Sequence, residues 1–118
     1  MRDVTEEQRE LITRGLKGVG PCAVVVLHPR GNSEAYRYAD QLVFAIKEAG
    51  WQVRGPQPQD WTIPPVGVSV HVADYAKPGL CAPALLHVLN AADISDQTDF
   101  ARAAQAEPDS LHLIVGEG

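Results

Sequence analysis

The stretch CAVVVLHPRGNSEAYRYADQLVFAIKEAG, residues 22–50, decides the fold. Cys22–Leu27 is a short, continuous, β-branched apolar run. Such a run suits a strand buried on both faces, as in the middle of a parallel sheet. His28–Ser33 is polar and contains Pro29 and Gly31, so it reads as a loop. Asn32 or Ser33 then caps a helix over Glu34–Ala49, where Tyr38, Ala39, Leu42, Ala45, Ile46 and Ala49 recur at helical spacing. Gly50 ends that helix as a C′ glycine, and Trp51–Val53 reads as a second short strand. Strand, loop, helix and strand make one βαβ unit, which predicts an α/β domain.

Downstream the pattern returns. Residues 55–65 hold Pro56, Pro58, Pro64 and Pro65 and read as a loop, with Trp61 anchoring it to the core. Val66–Val72 places valine at every second position, which predicts a third strand with Gly67, Ser69 and His71 on its other face. Pro83 suits the first turn of a helix running to Ala92, and Ile94 starts a fourth short strand. Residues 95–109 are polar, with a helical turn near Phe100–Ala104; Leu111–Val115 is a last strand that could pair antiparallel on an edge. Gln41–Val53 can be laid on Ala84–Asp96, with Gly50 on Asp93 and Trp51 on Ile94. The expectation is a small three-layer α/β domain over 21–118, with a mostly parallel central sheet of 4–5 strands built from two β-α-β units, 21–53 and 66–96.

An extra N-terminal amphipathic helix is expected within residues 1–20, from about Thr5 to Lys17. Thr5 and Gln8 can form a capping box, and Glu6, Glu7 and Glu10 precede Arg14 and Lys17 as the helix dipole prefers. Its apolar stripe of Leu11, Ile12, Leu16 and Val19 is narrow, which suits an appended helix, either packed on the domain or leading from something upstream.

The 118 residues are the length of one domain, and a net charge of -5 lacks the basic footprint of a nucleic-acid binder. Cys22 and Cys81 offer neither a disulfide framework nor metal-ligand spacing. They read as buried thiols in a reducing compartment, and the chain as cytoplasmic. Residues 1–20 are charged and do not resemble a signal peptide. No apolar run approaches the roughly 20 residues needed to cross a bilayer.

TEEQRELI at 5–12, YADQLVFAIKEAGWQV at 38–53, PPVGVSVHV at 64–72 and LHLIVGEG at 111–118 together resemble a known pattern. It is that of the small soluble α/β domain that often follows transmembrane helices in bacterial membrane proteins of unassigned function. The resemblance covers nearly the whole chain and carries no active-site residues. It implies a setting tethered to the membrane through a segment this chain lacks.

Ligands of open α/β sheets bind beyond the carboxyl ends of the parallel strands. Arg30, Asn32 and Ser33 lie in the first such loop, before a helix N-terminus that attracts anions. Asp74 and Tyr75 follow the third strand and approach Arg30 if the first and third strands are neighbours. Arg30, Asn32, Ser33 and Asp74 are therefore the candidate ligand-binding residues, although capping alone accounts for Asn32 and Ser33. His28, His71, His87 and His112 have no zinc-type spacing, so no metal or cofactor is expected. His28 ends a strand and is placed to act as acid or base, but no catalytic constellation or nucleotide fingerprint is present. The reading is a non-enzymatic sensory or interaction domain for a small anionic ligand or a protein partner. The alternatives are a nucleotide- or glycoside-processing enzyme, and a structural assembly domain that dimerises through an exposed edge at the third or last strand.

Overall fold

A computed structural model describes residues 2–73, 79–102 and 111–118. The elements are α1 (Glu6–Leu16), β1 (Ala23–Pro29), α2 (Ser33–Glu48), β2 (Gln52–Gln59), β3 (Val68–Val72), α3 (Cys81–Ala91), β4 (Ala101–Arg102) and β5 (Leu111–Val115). The five strands form one sheet in the order β2-β1-β5-β3-β4. β1 pairs parallel with β2 and β5, β3 pairs parallel with β4, and β3 and β5 are antiparallel. The α/β fold and mostly parallel sheet stand as expected.

The last strand is not on an edge. β5 lies in the middle and joins β1-α2-β2 to β3-α3-β4, which run in opposite directions. The first unit steps outward one way from the centre, and the second, with reversed strands, steps the other way. Right-handed crossovers then place both helices on the same face. Val24 and Val26 of β1, Val68, Val70 and Val72 of β3, and Leu111, Leu113 and Val115 of β5 share one core cluster with residues of all three helices. The described residues thus make two layers, where three were expected.

Of the two settings the narrow stripe allows, α1 takes the one packed on the domain. It packs between α2 and α3, and its Ile12 and Leu16 are fully buried. The narrow stripe suffices because two helices flank it. Gly15 brings α1 close to α3, since a Cβ there would come within 2.5 Å of Val88 Cγ2. The Thr5–Gln8 capping box forms as expected.

Several segments depart from expectation. Residues 52–59 form a strand although Pro56 and Pro58 lie within it. β2 is an edge strand, where a proline with its nitrogen facing solvent costs no ladder bond. The register shifts between Val25 and Leu27, opposite Gly55 and Pro56, and any Cβ on Gly55 would overlap the Val26 carbonyl. Trp61 is only half-buried and outside the core cluster; the core tryptophan is Trp51, whose Nε1 donates to the Leu16 carbonyl at 3.1 Å. Ile94 packs on the core without forming a strand. The expected helical turn near Phe100 is instead the short strand β4, and residues 103–104 lie outside the described ones.

Among the described residues the third and last strands are paired or covered along both sides. β5 is paired on both sides. The outer side of β3 is covered by β4, by Gln97, which bonds both the N–H and the carbonyl of Val70, and by the Ser95 hydroxyl, which donates to the Val68 carbonyl.

Cys22 and Cys81 are not thiols. They form a disulfide with a Cα–Cα distance of 5.8 Å, linking the residue before β1 to the first residue of α3. Sequence separation hid this pair, because folding α3 onto the same face as β1 is what brings them together. The ground for a reducing compartment falls with the thiols. Among the described residues no helix is long and apolar enough to cross a membrane.

Candidate strand-end site

β1, β2 and β5 are parallel, so their carboxyl ends and the N-terminus of α2 converge at one end of the sheet. The turn after β1 is built locally. The Arg30 N–H donates to the Gln59 carbonyl at 3.0 Å, the Asn32 N–H returns to the Pro29 carbonyl, and Gly31 takes a φ of 82°. That left-handed conformation is why glycine stands there. Asn32, rather than Ser33, is the N-cap, and its Oδ1 accepts from the Ala35 N–H at 2.9 Å. Ser33 is the first helical residue and is exposed.

Arg30 Nε donates to Asp60 Oδ1 at 3.0 Å, and the two side chains are 60% and 79% exposed. The structure therefore brings Arg30, Asn32 and Ser33 together and adds Asp60, which sequence reading left inside a proline-rich loop. Asp74 lies outside the described residues. β1 and β3 are separated by β5 and run oppositely, and Val72 pairs with Leu111 at the start of β5. The chain thus leaves β3 from the end of the sheet opposite Arg30. The approach of Asp74 and Tyr75 to Arg30 had assumed parallel neighbours.

His28 is buried. Its Nδ1 lies 3.0 Å from the Pro29 carbonyl oxygen, and its ring packs edge-on against Tyr36. Arg2 clasps both carboxylate oxygens of Glu34, donates to the Gly116 carbonyl, and lies over the Tyr38 ring. The side-chain bond from Arg2 holds the Glu34 carboxyl below its ordinary range, although burial opposes this. Burial raises the Tyr38 phenol.

The sign of the Glu34 effect fixes a pH window. A carboxyl depressed in the folded state adds stability above its ordinary value of 4.5, and that contribution is lost as pH falls through the folded value. Wild type is therefore expected to exceed Glu34→Gln in urea midpoint at pH 6, with the gap closing as pH falls below 4.5. A pH-independent gap would show that the charge on Glu34 is not what Arg2 holds.

Two further groups were not foreseen. A cleft of about 330 Å³ lies at the same end of the sheet, lined by residues 66–68 and 93–96, including Asp93 and Asp96. On the sheet face away from the helices, Ser69 Oγ lies 2.7 Å from His71 Nε2, and His71 pairs directly across the strands with His112. Burial lowers the His112 imidazole below its ordinary value. Ser69 and His71 share the strand face expected of them, whereas the pairing of His71 with His112 was invisible without the antiparallel register of β3 on β5.

Fold and site together define a small two-layer α/β domain with a polar strand-end surface. No family of known proteins, no curated protein and no solved structure matches the chain.

Proposed function

We propose that this domain is a non-enzymatic binding module that recognises a small anionic ligand at the strand-end surface formed by Arg30, Asn32 and Ser33. The observation that carries this reading is the exposed Arg30–Asp60 pair, set beside the N-terminus of α2. An exposed ion pair is worth only about 0–1 kcal/mol, so a phosphate or carboxylate can displace Asp60 from the guanidinium at little cost. Bidentate donation from arginine then supplies both affinity and orientation.

The test is calorimetric titration with inorganic phosphate, a sugar phosphate and a dicarboxylate. At least one is expected to bind, and Arg30→Ala is expected to weaken it about tenfold or more, since a charge-assisted hydrogen bond is worth about 1.5–3 kcal/mol. Asp60→Asn removes the internal competitor and is expected to tighten binding. Failure of every probe, or full affinity in Arg30→Ala, overturns the reading.

The resemblance carried by residues 5–12, 38–53, 64–72 and 111–118 supports a domain that works beside a membrane, tethered through a further segment. The Cys22–Cys81 disulfide favours an oxidising compartment over the cytoplasm for that setting.

A further inference from the structure

Charge is unevenly divided along this chain. Residues 55–118 hold eight acidic and only two basic residues, so the second half carries the whole negative balance. Apolar exposure is concentrated at one corner of the same half. Ile63 and Val66 are 83% and 76% exposed and lie three residues apart in the segment joining β2 to β3. The segment is held where it meets the sheet. The Glu117 N–H donates to the Pro65 carbonyl at 2.8 Å, and the Gly67 N–H to the Glu117 carbonyl at 2.9 Å. Val66 and Ile94 line the cleft together with Asp93 and Asp96. Asp93, Asp96 and Glu117 are exposed, and among the described residues none of the three is paired with a lysine or arginine. Val72, Arg102 and Leu111 lie together at the opposite end of the sheet, so the segments outside the described residues join the domain away from this corner.

We infer that this corner docks a basic segment of a protein partner, with an apolar side chain laid on Ile63 and Val66 and a lysine or arginine set between Asp93 and Asp96. An apolar centre with a polar rim is the usual anatomy of an interface. Carboxylates that lack an internal cation make the rim complementary to a basic partner, which sets partner choice and speeds encounter. The cleft, at about 330 Å³, is at the small end of ligand pockets, which span about 300–1,000 Å³. That size suits one inserted side chain. A second copy of this chain is the wrong occupant, because two such acidic surfaces would oppose like charges. A lipid surface is also the wrong occupant. Anionic leaflets attract polybasic segments, and no basic residue lies between Arg54 and Lys77. Arg30 takes no part, so this surface stands apart from the anion reading. The bonds to Glu117 fix the segment before a partner arrives, which lowers the ordering cost of binding.

The test follows amide chemical shifts of the intact, disulfide-bonded protein at low ionic strength. The probe is an acetylated, amidated pentapeptide that alternates lysine with valine. Shifts are expected at residues 63–68 and 93–96, and the counterpart with glutamate in place of lysine should bind at least tenfold more weakly. Asp93→Asn combined with Asp96→Asn should weaken the lysine peptide about fivefold, as the loss of two exposed ion pairs implies. Asparagine tolerates the positive φ of Asp93, so the double variant keeps the backbone. Ile63→Ser should weaken binding by a similar factor of about five, through lost apolar contact. Asp40→Asn, which alters an exposed carboxylate on α2, should leave affinity unchanged. No binding, equal binding of the two peptides, shifts confined to other residues, or full affinity in the variants would overturn the proposal. Dimerisation, or attachment to phosphatidylcholine vesicles, that Ile63→Ser abolishes would overturn it too, by giving the surface to a second copy or to lipid.

Discussion

Reduction of the Cys22–Cys81 disulfide is expected to lower the unfolding free energy by about 4 kcal/mol, from the loop-closure entropy of the 59-residue separation. Half-buried as the bond is, most of this effect acts on the unfolded chain, which regains the freedom to separate the two ends. The folded state keeps the rest of its core. Urea titration with and without reductant measures the difference. The double variant Cys22→Ser, Cys81→Ser should match the reduced wild type and ignore reductant. A loss under about 1 kcal/mol would mean that the unfolded chain already holds these segments together. Small domains typically have a total stability of about 5–15 kcal/mol, so the reduced protein would retain only a narrow margin.

Trp51→Ala is the second large effect, at about 3–5 kcal/mol. Trp51 is 4% exposed and belongs to the central cluster. Its indole N–H also satisfies the Leu16 carbonyl at the end of α1. Alanine would both open a cavity and strand that carbonyl. Trp51→Phe separates the two terms, since it keeps most of the packing and loses the bond, for about 1–3 kcal/mol. The urea midpoints of both variants decide the matter. If Trp51→Phe proved as costly as Trp51→Ala, the hydrogen bond rather than the packing would dominate.

Local signals were legible and directions were not. The Thr5–Gln8 box, the Asn32 cap and the alternating valines of β3 are properties of neighbouring residues, and all three appear in the structure. The alignment of Gly50 with Asp93 also has a physical counterpart. Both follow helix C-caps with positive φ, 96° and 60°. The pairing of distant strands has no such local mark. Taking the two units as running the same way put the last strand on an edge and made the first and third strands neighbours. The central, antiparallel β5 overturns both. Prolines in β2 misled for a related reason, because they disqualify only an interior strand and nothing local marks an edge.

The candidate site followed the same division. Arg30, Asn32 and Ser33 sit in one short loop and could be found by reading along the chain. Asp60, Arg2 and the His71–His112 pair depend on contacts between remote segments. Chemistry assembled across strands is thus the part that periodicity does not show.

The central place of β5 bears on how the chain comes together as it is made. Residues 23–59 can gather as one unit and residues 68–102 as another, yet neither touches the other through the sheet until 111–115 arrive. During synthesis both halves wait with unsatisfied edges, at β1 and at β3. The final insertion zips them together through contacts of high sequence separation, which form slowly. A ribosome-bound chain stopped before Leu111 should therefore be vulnerable to protease and prone to self-association, while release of the last strand closes both edges at once.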